Sequence, residues 1–183
     1  MSTRLTALEP TTTTGKTKEL LDAVQSKMKM VPNMIRIMAN SPATLQSYLS
    51  FNDALSRGIL PEKLREQISI IVAETNACLY CLSAHTAIGK SLGLTDNDIQ
   101  KAQYGKANDP KTEAALTFAK NIVMQRGKTS DIDLQKVKDA GYSEAEISEI
   151  IANVALNNYT NYFNHIAKTE IDFPKTELLT VNS

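Results

Sequence analysis

The chain is poor in cysteine, in glycine and proline, and in net charge. Only two of its 183 residues are cysteine. One intramolecular disulfide is therefore the most it can form, and a disulfide-stapled secreted scaffold is excluded. Seven glycines and six prolines leave few breaks between periodic segments. Lys plus Arg and Asp plus Glu number 20 each, for a formal net charge of zero. There is no basic stripe to follow a nucleic acid and no like-charge block to act as a tail. No segment approaches the ~18 uninterrupted apolar residues of a membrane span. Met1 to Lys18 has a threonine run at 11–14 but no apolar core of a secretory signal. The expectation is a cytoplasmic protein in a reducing compartment, with neither nucleic-acid nor membrane partners. At 42% hydrophobic, a chain of this length can bury roughly 70% of its unfolded surface, enough to fold without a staple.

What is present is helical punctuation. Lys16 to Met28 reads as an amphipathic helix with Leu20, Leu21 and Val24 on one side, and Asn33 to Ala39 as a short second one. Ser41-Pro42 is a cap followed by proline at the first helical position, opening a helix that runs to Ser56. Pro61 opens the next, with Leu64, Ile68, Ile71 and Val72 toward a core. Thr75-Asn76 reads as a break, with Asn76 placed to cap a helix that ends near Gly93. Thr95, Asp109-Pro110 and Ser130 each start a further helix. Ser143 with Glu146 is a capping box that opens a long last helix to about Lys168. No strand is expected. The fold class is all-α: one domain over residues 16–175, with a flexible N-terminal segment (1–15) and a tail (176–183). A shift of 80 residues lays Glu66 on Glu146 and His85 on His165, the echo of a pseudo-twofold repeat of helical hairpins. The second copy has Asn158 and Asn161 where the first has Cys78 and Cys81.

Both cysteines and one of the two histidines fall in the stretch from Glu66 to His85. On a helix, Cys78 and Cys81 share a face and His85 lies one turn beyond Cys81. Two thiols that can close a disulfide beside an imidazole outline a redox site. Cys78, near a helix N-terminus, gains from the dipole; Cys81 gains from His85. These effects favour different cysteines. Thiolate attack on a peroxide gives a sulfenic acid, which a second thiol three residues away condenses to a disulfide. His85 or a carboxylate behind it, Glu66 or Glu74, supplies the proton for the leaving group.

The pattern E-x(11)-C-x-x-C-x-x-x-H, from Glu66 through Cys78 and Cys81 to His85, resembles the AhpD-like group of the carboxymuconolactone decarboxylase superfamily. Val31-Pro32-Asn33 and Asn164-His165 look like its peroxidase-related members. The resemblance covers residues 15 to 175. It implies an all-helical homo-oligomer (dimer, trimer or hexamer) that reduces organic hydroperoxides at the expense of an external dithiol or thioredoxin-like reductant, with no metal or organic cofactor. It also implies that Cys81 attacks, Cys78 resolves, and Glu66 and His85 relay protons. The best-known members carry histidine between the cysteines where this chain has Tyr80.

Rival readings use the same residues. The pair could serve a disulfide oxidoreductase without peroxidase activity. Cys78, Cys81 and His85 with His165 could hold zinc in a structural oligomer. Met30, Met34 and Met38, four apart, read as packing, or alternatively as an adaptable apolar wall over the site. His165 reads as a hydrogen-bonded core or interface residue and Tyr80 as packing.

Overall fold

The computed structural model describes residues 3–179. It contains nine α-helices and no strand among those residues: α1 (Gly15–Met28), α2 (Asn33–Met38), α3 (Pro42–Ser56), α4 (Glu62–Thr75), α5 (Leu79–Ser91), α6 (Asp96–Gln103), α7 (Pro110–Met124), α8 (Asp131–Asp139) and α9 (Glu144–Ala167). A 3₁₀ turn at Pro10–Thr12 precedes them. The helix starts follow the expected chemistry. Ser41 and Asp109 accept from the backbone three residues on, with proline next in line, while Thr95, Ser130 and Ser143 close reciprocal capping boxes with Asp98, Asp133 and Glu146.

α4 is the centre. It packs against α5, α6, α7 and α9, and every residue from Gln67 to Ala73 is buried. A helix walled on all sides has no polar face, which is why Ser69 and Gln67 are inside with the apolar residues. Each needs a partner there; Ser69 Oγ donates to Arg65 O at 2.9 Å and accepts from Asn157 Nδ2 at 3.0 Å.

Three features differ from expectation. Asn76 is the C-terminal cap of α4 rather than the N-terminal cap of α5; Cys78 caps α5, its sulfur accepting from Cys81 N at 3.4 Å. The second copy of the echo is one unbroken helix, α9, where the first is broken at residues 76–78. The described segments near both ends also engage the domain. Arg4 N donates to Ala167 O and Leu8 N to Arg36 O. At the other end, residues 169–179 run without helix across α2, α4 and α5: Asn33 N donates to Asp172 Oδ2, Thr176 N to Ser83 Oγ and Leu179 N to Glu74 Oε1. Residues 1–2 and 180–183, at the tips of the two expected end segments, lie outside the described residues.

Candidate active site

The site forms where α4 ends, α5 begins and α9 crosses both. Ala77 is left-handed, with φ 54°, and Cys78 N closes back onto Ala73 O at 2.8 Å. This αL closure of α4 turns the chain so that Cys78 becomes the first cap of α5. Both cysteines are reduced and buried.

Their thiols sit in unequal fields. Cys78 is held below the ordinary thiol range, first by the hydrogen bond from Cys81, then by the backbone N–H groups at the start of α5. Cys81 is pushed well above that range, first by burial, then by its neighbour Cys78. The pair's first negative charge therefore rests on Cys78. Cys78 also borders an open cleft of about 760 Å³ with Tyr80, Asn164, His165 and Lys168, a cleft that Cys81 does not line.

Glu66 and His85 come together. His85 Nδ1 donates to Glu66 Oε2 at 2.8 Å, with both side chains about four-fifths buried. That bond fixes the tautomer and leaves Nε2 free to accept a proton, one turn along α5 from Cys81. The phenol of Tyr48, on α3, lies in the field of both Glu66 and Cys81; burial, then those charges, holds it far above the usual tyrosine range. Cys78 thus faces the cleft, while Cys81 lies behind it on the side of the Glu66–His85 pair.

Other candidates separate from this group. Glu74 accepts from Gln103 and from Leu179 N and anchors the C-terminal strap. His165 donates Nε2 to Asn76 O at 2.8 Å. Among the described residues no three His, Cys, Asp or Glu side chains converge as a metal site, so the zinc set does not assemble. Tyr80 Oη accepts from Met34 N at 3.2 Å, and its ring meets Phe173 edge-on at 5.8 Å. Of the methionine trio, Met34 and Met38 are buried and Met30 is at the surface.

Two residues carry roles that the sequence did not assign. Asn164 Nδ2 donates to Cys81 Sγ and to Met34 Sδ, each at 3.2 Å, and Asn161 lies against the same thiol. The signal was there in kind: five asparagines at 153, 157, 158, 161 and 164, a poor helix former repeated along a long helix.

Residues 42–121 match the model of the carboxymuconolactone decarboxylase family. Among proteins of curated function, none matches the sequence. Solved structures share the fold. The AhpD core of a peroxidase-related protein from Ralstonia eutropha JMP134 superimposes with a TM-score of 0.82 at 23% identity, over 93% of this chain and 92% of that one. A Cys-to-Ala variant of the debrominase Bmp8 in complex with 2,3,4-tribromopyrrole gives 0.81 at 19% identity, over 94% and 93%. A peroxidase-related protein from Silicibacter sp. TM1040 gives 0.75 at 23%, over 91% and 92%. The chain has the all-helical fold of these AhpD-like structures, and residues 42–121 within it match the carboxymuconolactone decarboxylase family. No helix among the described residues is long and apolar enough to cross a membrane.

Proposed function

We propose that this protein is a thiol-dependent peroxidase that reduces organic hydroperoxides through a Cys78–Cys81 dithiol/disulfide cycle. The observation that carries the reading is the pairing of His85 with Glu66 at 2.8 Å beside two adjacent reduced thiols. His85 Nε2 takes the Cys81 proton. The Cys81 thiolate attacks the distal peroxide oxygen; the O–O bond breaks, an S–O bond forms, and the alkoxide leaves as alcohol with the proton from His85. The Cys78 thiol, protonated at this stage, condenses with the sulfenic acid, closing the disulfide and releasing water. An external dithiol then attacks from the cleft at Cys78 and restores both thiols. Exchange at the outer sulfur suits the position and lowered pKa of Cys78, whereas oxidation at Cys81 needs His85 to draw off a proton that burial holds on the thiol.

A second reading has its own support. A cleft-facing cysteine with a depressed pKa at a helix N-terminus is the arrangement that thiol–disulfide exchange requires, so the pair could exchange directly with disulfides. A homo-oligomer is supported by Ile151, Tyr162 and Ile166, which stay exposed along one face of α9. A reducing cytoplasm would keep the pair cycling.

The test is consumption of cumene hydroperoxide in the presence of dithiothreitol by wild type, Cys81→Ser and Cys78→Ser, with a brominated pyrrole as a second substrate because the debrominase shares the fold. The expected result is turnover of the hydroperoxide by wild type, a single stoichiometric event in Cys78→Ser and none in Cys81→Ser. Wild type that ignores the peroxide yet cycles its disulfide makes the protein an oxidoreductase of disulfides. Bromide release without peroxide turnover moves it to dehalogenation.

A further inference from the structure

The buried amides of α9 are not alike. Asn153 donates to Glu149 O, and Asn157 to Ser69 Oγ and Asn153 O. Asn161 and Asn164, 0% and 4% exposed, each keep one buried polar atom without a hydrogen-bond partner: the donor Nδ2 of Asn161 and the acceptor Oδ1 of Asn164. Their orientations are set by what the other end of each amide does. Asn161 Oδ1 accepts from Asn76 Nδ2 at 3.0 Å, and Asn164 Nδ2 reaches Cys81 Sγ at 3.2 Å. An orphaned buried amide atom is destabilising unless a partner reaches it. A lone donor and a lone acceptor three residues apart on one helix, beside one sulfur, match a group that offers both functions. A hydroxyl bonded to oxygen or to sulfur is such a group.

We propose that Asn161 and Asn164 form an amide cradle for Cys81, holding its thiolate and then the oxygen atom that it takes from a hydroperoxide. The proposal rests on the peroxidase reading for its second half only. In the thiolate, Asn164 Nδ2 donates to sulfur. After attack, the S–OH oxygen accepts from Asn161 Nδ2 and its hydrogen goes to Asn164 Oδ1, so both orphans are satisfied in the intermediate.

The test is run in the Cys78→Ser background, which leaves Cys81 as the only thiol. The other groups facing it are Tyr48 on α3, Tyr80 on α5 and the His85–Glu66 pair; all stay unchanged. The rate of iodoacetamide labelling is measured against pH for the parent, Asn161→Leu, Asn164→Leu and the near-isosteric Asn164→Asp, with folding checked by circular dichroism. Loss of a hydrogen bond to a charged acceptor should slow labelling at neutral pH about tenfold. Asn164→Asp should slow it further by like charge. Labelling of all three variants at the parental rate overturns the proposal, and Asn164→Asp alone decides if the leucine variants do not fold. Dimedone trapping after one equivalent of cumene hydroperoxide reads the second half: the parent should accumulate sulfenic acid that the variants lose faster. Slower labelling with no sulfenic acid in the parent keeps the anion cradle and refutes the peroxidase reading instead.

Discussion

Glu66→Gln isolates the proposed proton relay from the cysteine pair. The glutamine is nearly isosteric and keeps a carbonyl that can accept from His85 Nδ1, so tautomer and packing survive. What disappears is the negative charge behind the imidazolium that forms when His85 takes the Cys81 proton. The bond is 2.8 Å long and both partners are about four-fifths buried, so water replaces little of that charge. A hydrogen bond to a charged group at such a site contributes about 1.5–3 kcal/mol. At about 1.4 kcal/mol per factor of ten, the chemical step should slow by roughly 10- to 150-fold. Stability should change by less than about 1 kcal/mol, because one hydrogen bond is kept. Stopped-flow oxidation by cumene hydroperoxide, started from the fully reduced protein, reads the step without the reductant. A Glu66→Gln protein that reacts within twofold of wild type while melting normally would refute a relay through Glu66.

Other consequences follow from the fold. A methyl group at Gly58 would come within 2.6 Å of Glu149 Oε1, the carboxylate that accepts from Ile59 N and Leu60 N. Gly58→Ala and Glu149→Ala should each cost about 1–2 kcal/mol in urea unfolding, and the double variant should cost little more than either, since one contact is lost twice. Tyr80→Phe keeps the ring against Phe173 but leaves Met34 N–H without its acceptor, a loss of about 1–3 kcal/mol by thermal or chemical denaturation; an unchanged midpoint contradicts it. Asp98, Asp109, Asp133 and Glu146 are all held below their ordinary pKa by hydrogen bonds at helix starts. A depressed folded pKa contributes stability above the unfolded value, near 4, that is lost as pH falls through the folded value. Unfolding midpoints should therefore hold above about pH 5 and decline on further acidification; a flat profile down to pH 3 goes against these caps as stabilisers.

Most helix ends were legible because they are written locally. A hydroxyl or carboxylate three residues before its partner, or a proline at the first position, sets φ and ψ where it stands. Asn76 misled for the same reason. It is a good cap for either neighbour, and the closure at Ala77 assigned it to α4; its side chain then turned to Asn158 and Asn161. The Glu66–His85 contact could be anticipated from the family pattern, not from spacing, because nineteen residues and a chain reversal separate the two. Asn164 meets Cys81 across 83 residues of sequence, and no local rule reports a contact of that range. The strap of residues 169–179 has no periodicity to read. Its course is set by acceptors elsewhere, Glu74 and Ser83 among them.

The break between α4 and α5 explains why these cysteines differ in character. Had the helix run on, Cys78 and Cys81 would be two thiols on one stripe in closely similar surroundings. Ala77 instead adopts a left-handed conformation that costs a residue with a side chain about 1 kcal/mol. In return, the chain places the first sulfur at a helix N-terminus, where Cys81 N–H points at it, and leaves the second one turn inside the helix against α9. α9 shows the alternative. It passes without a break through the corresponding positions, and the side chains there are amides, which cannot cycle between oxidation states but can hold a sulfur that does. One helix pair thus supplies the two thiols and the Glu66–His85 pair, and the uninterrupted helix supplies fixed dipoles. The strained turn at Ala77 thus adds the N–H groups of α5 to an asymmetry set first by the burial of Cys81 and by its interaction with Cys78.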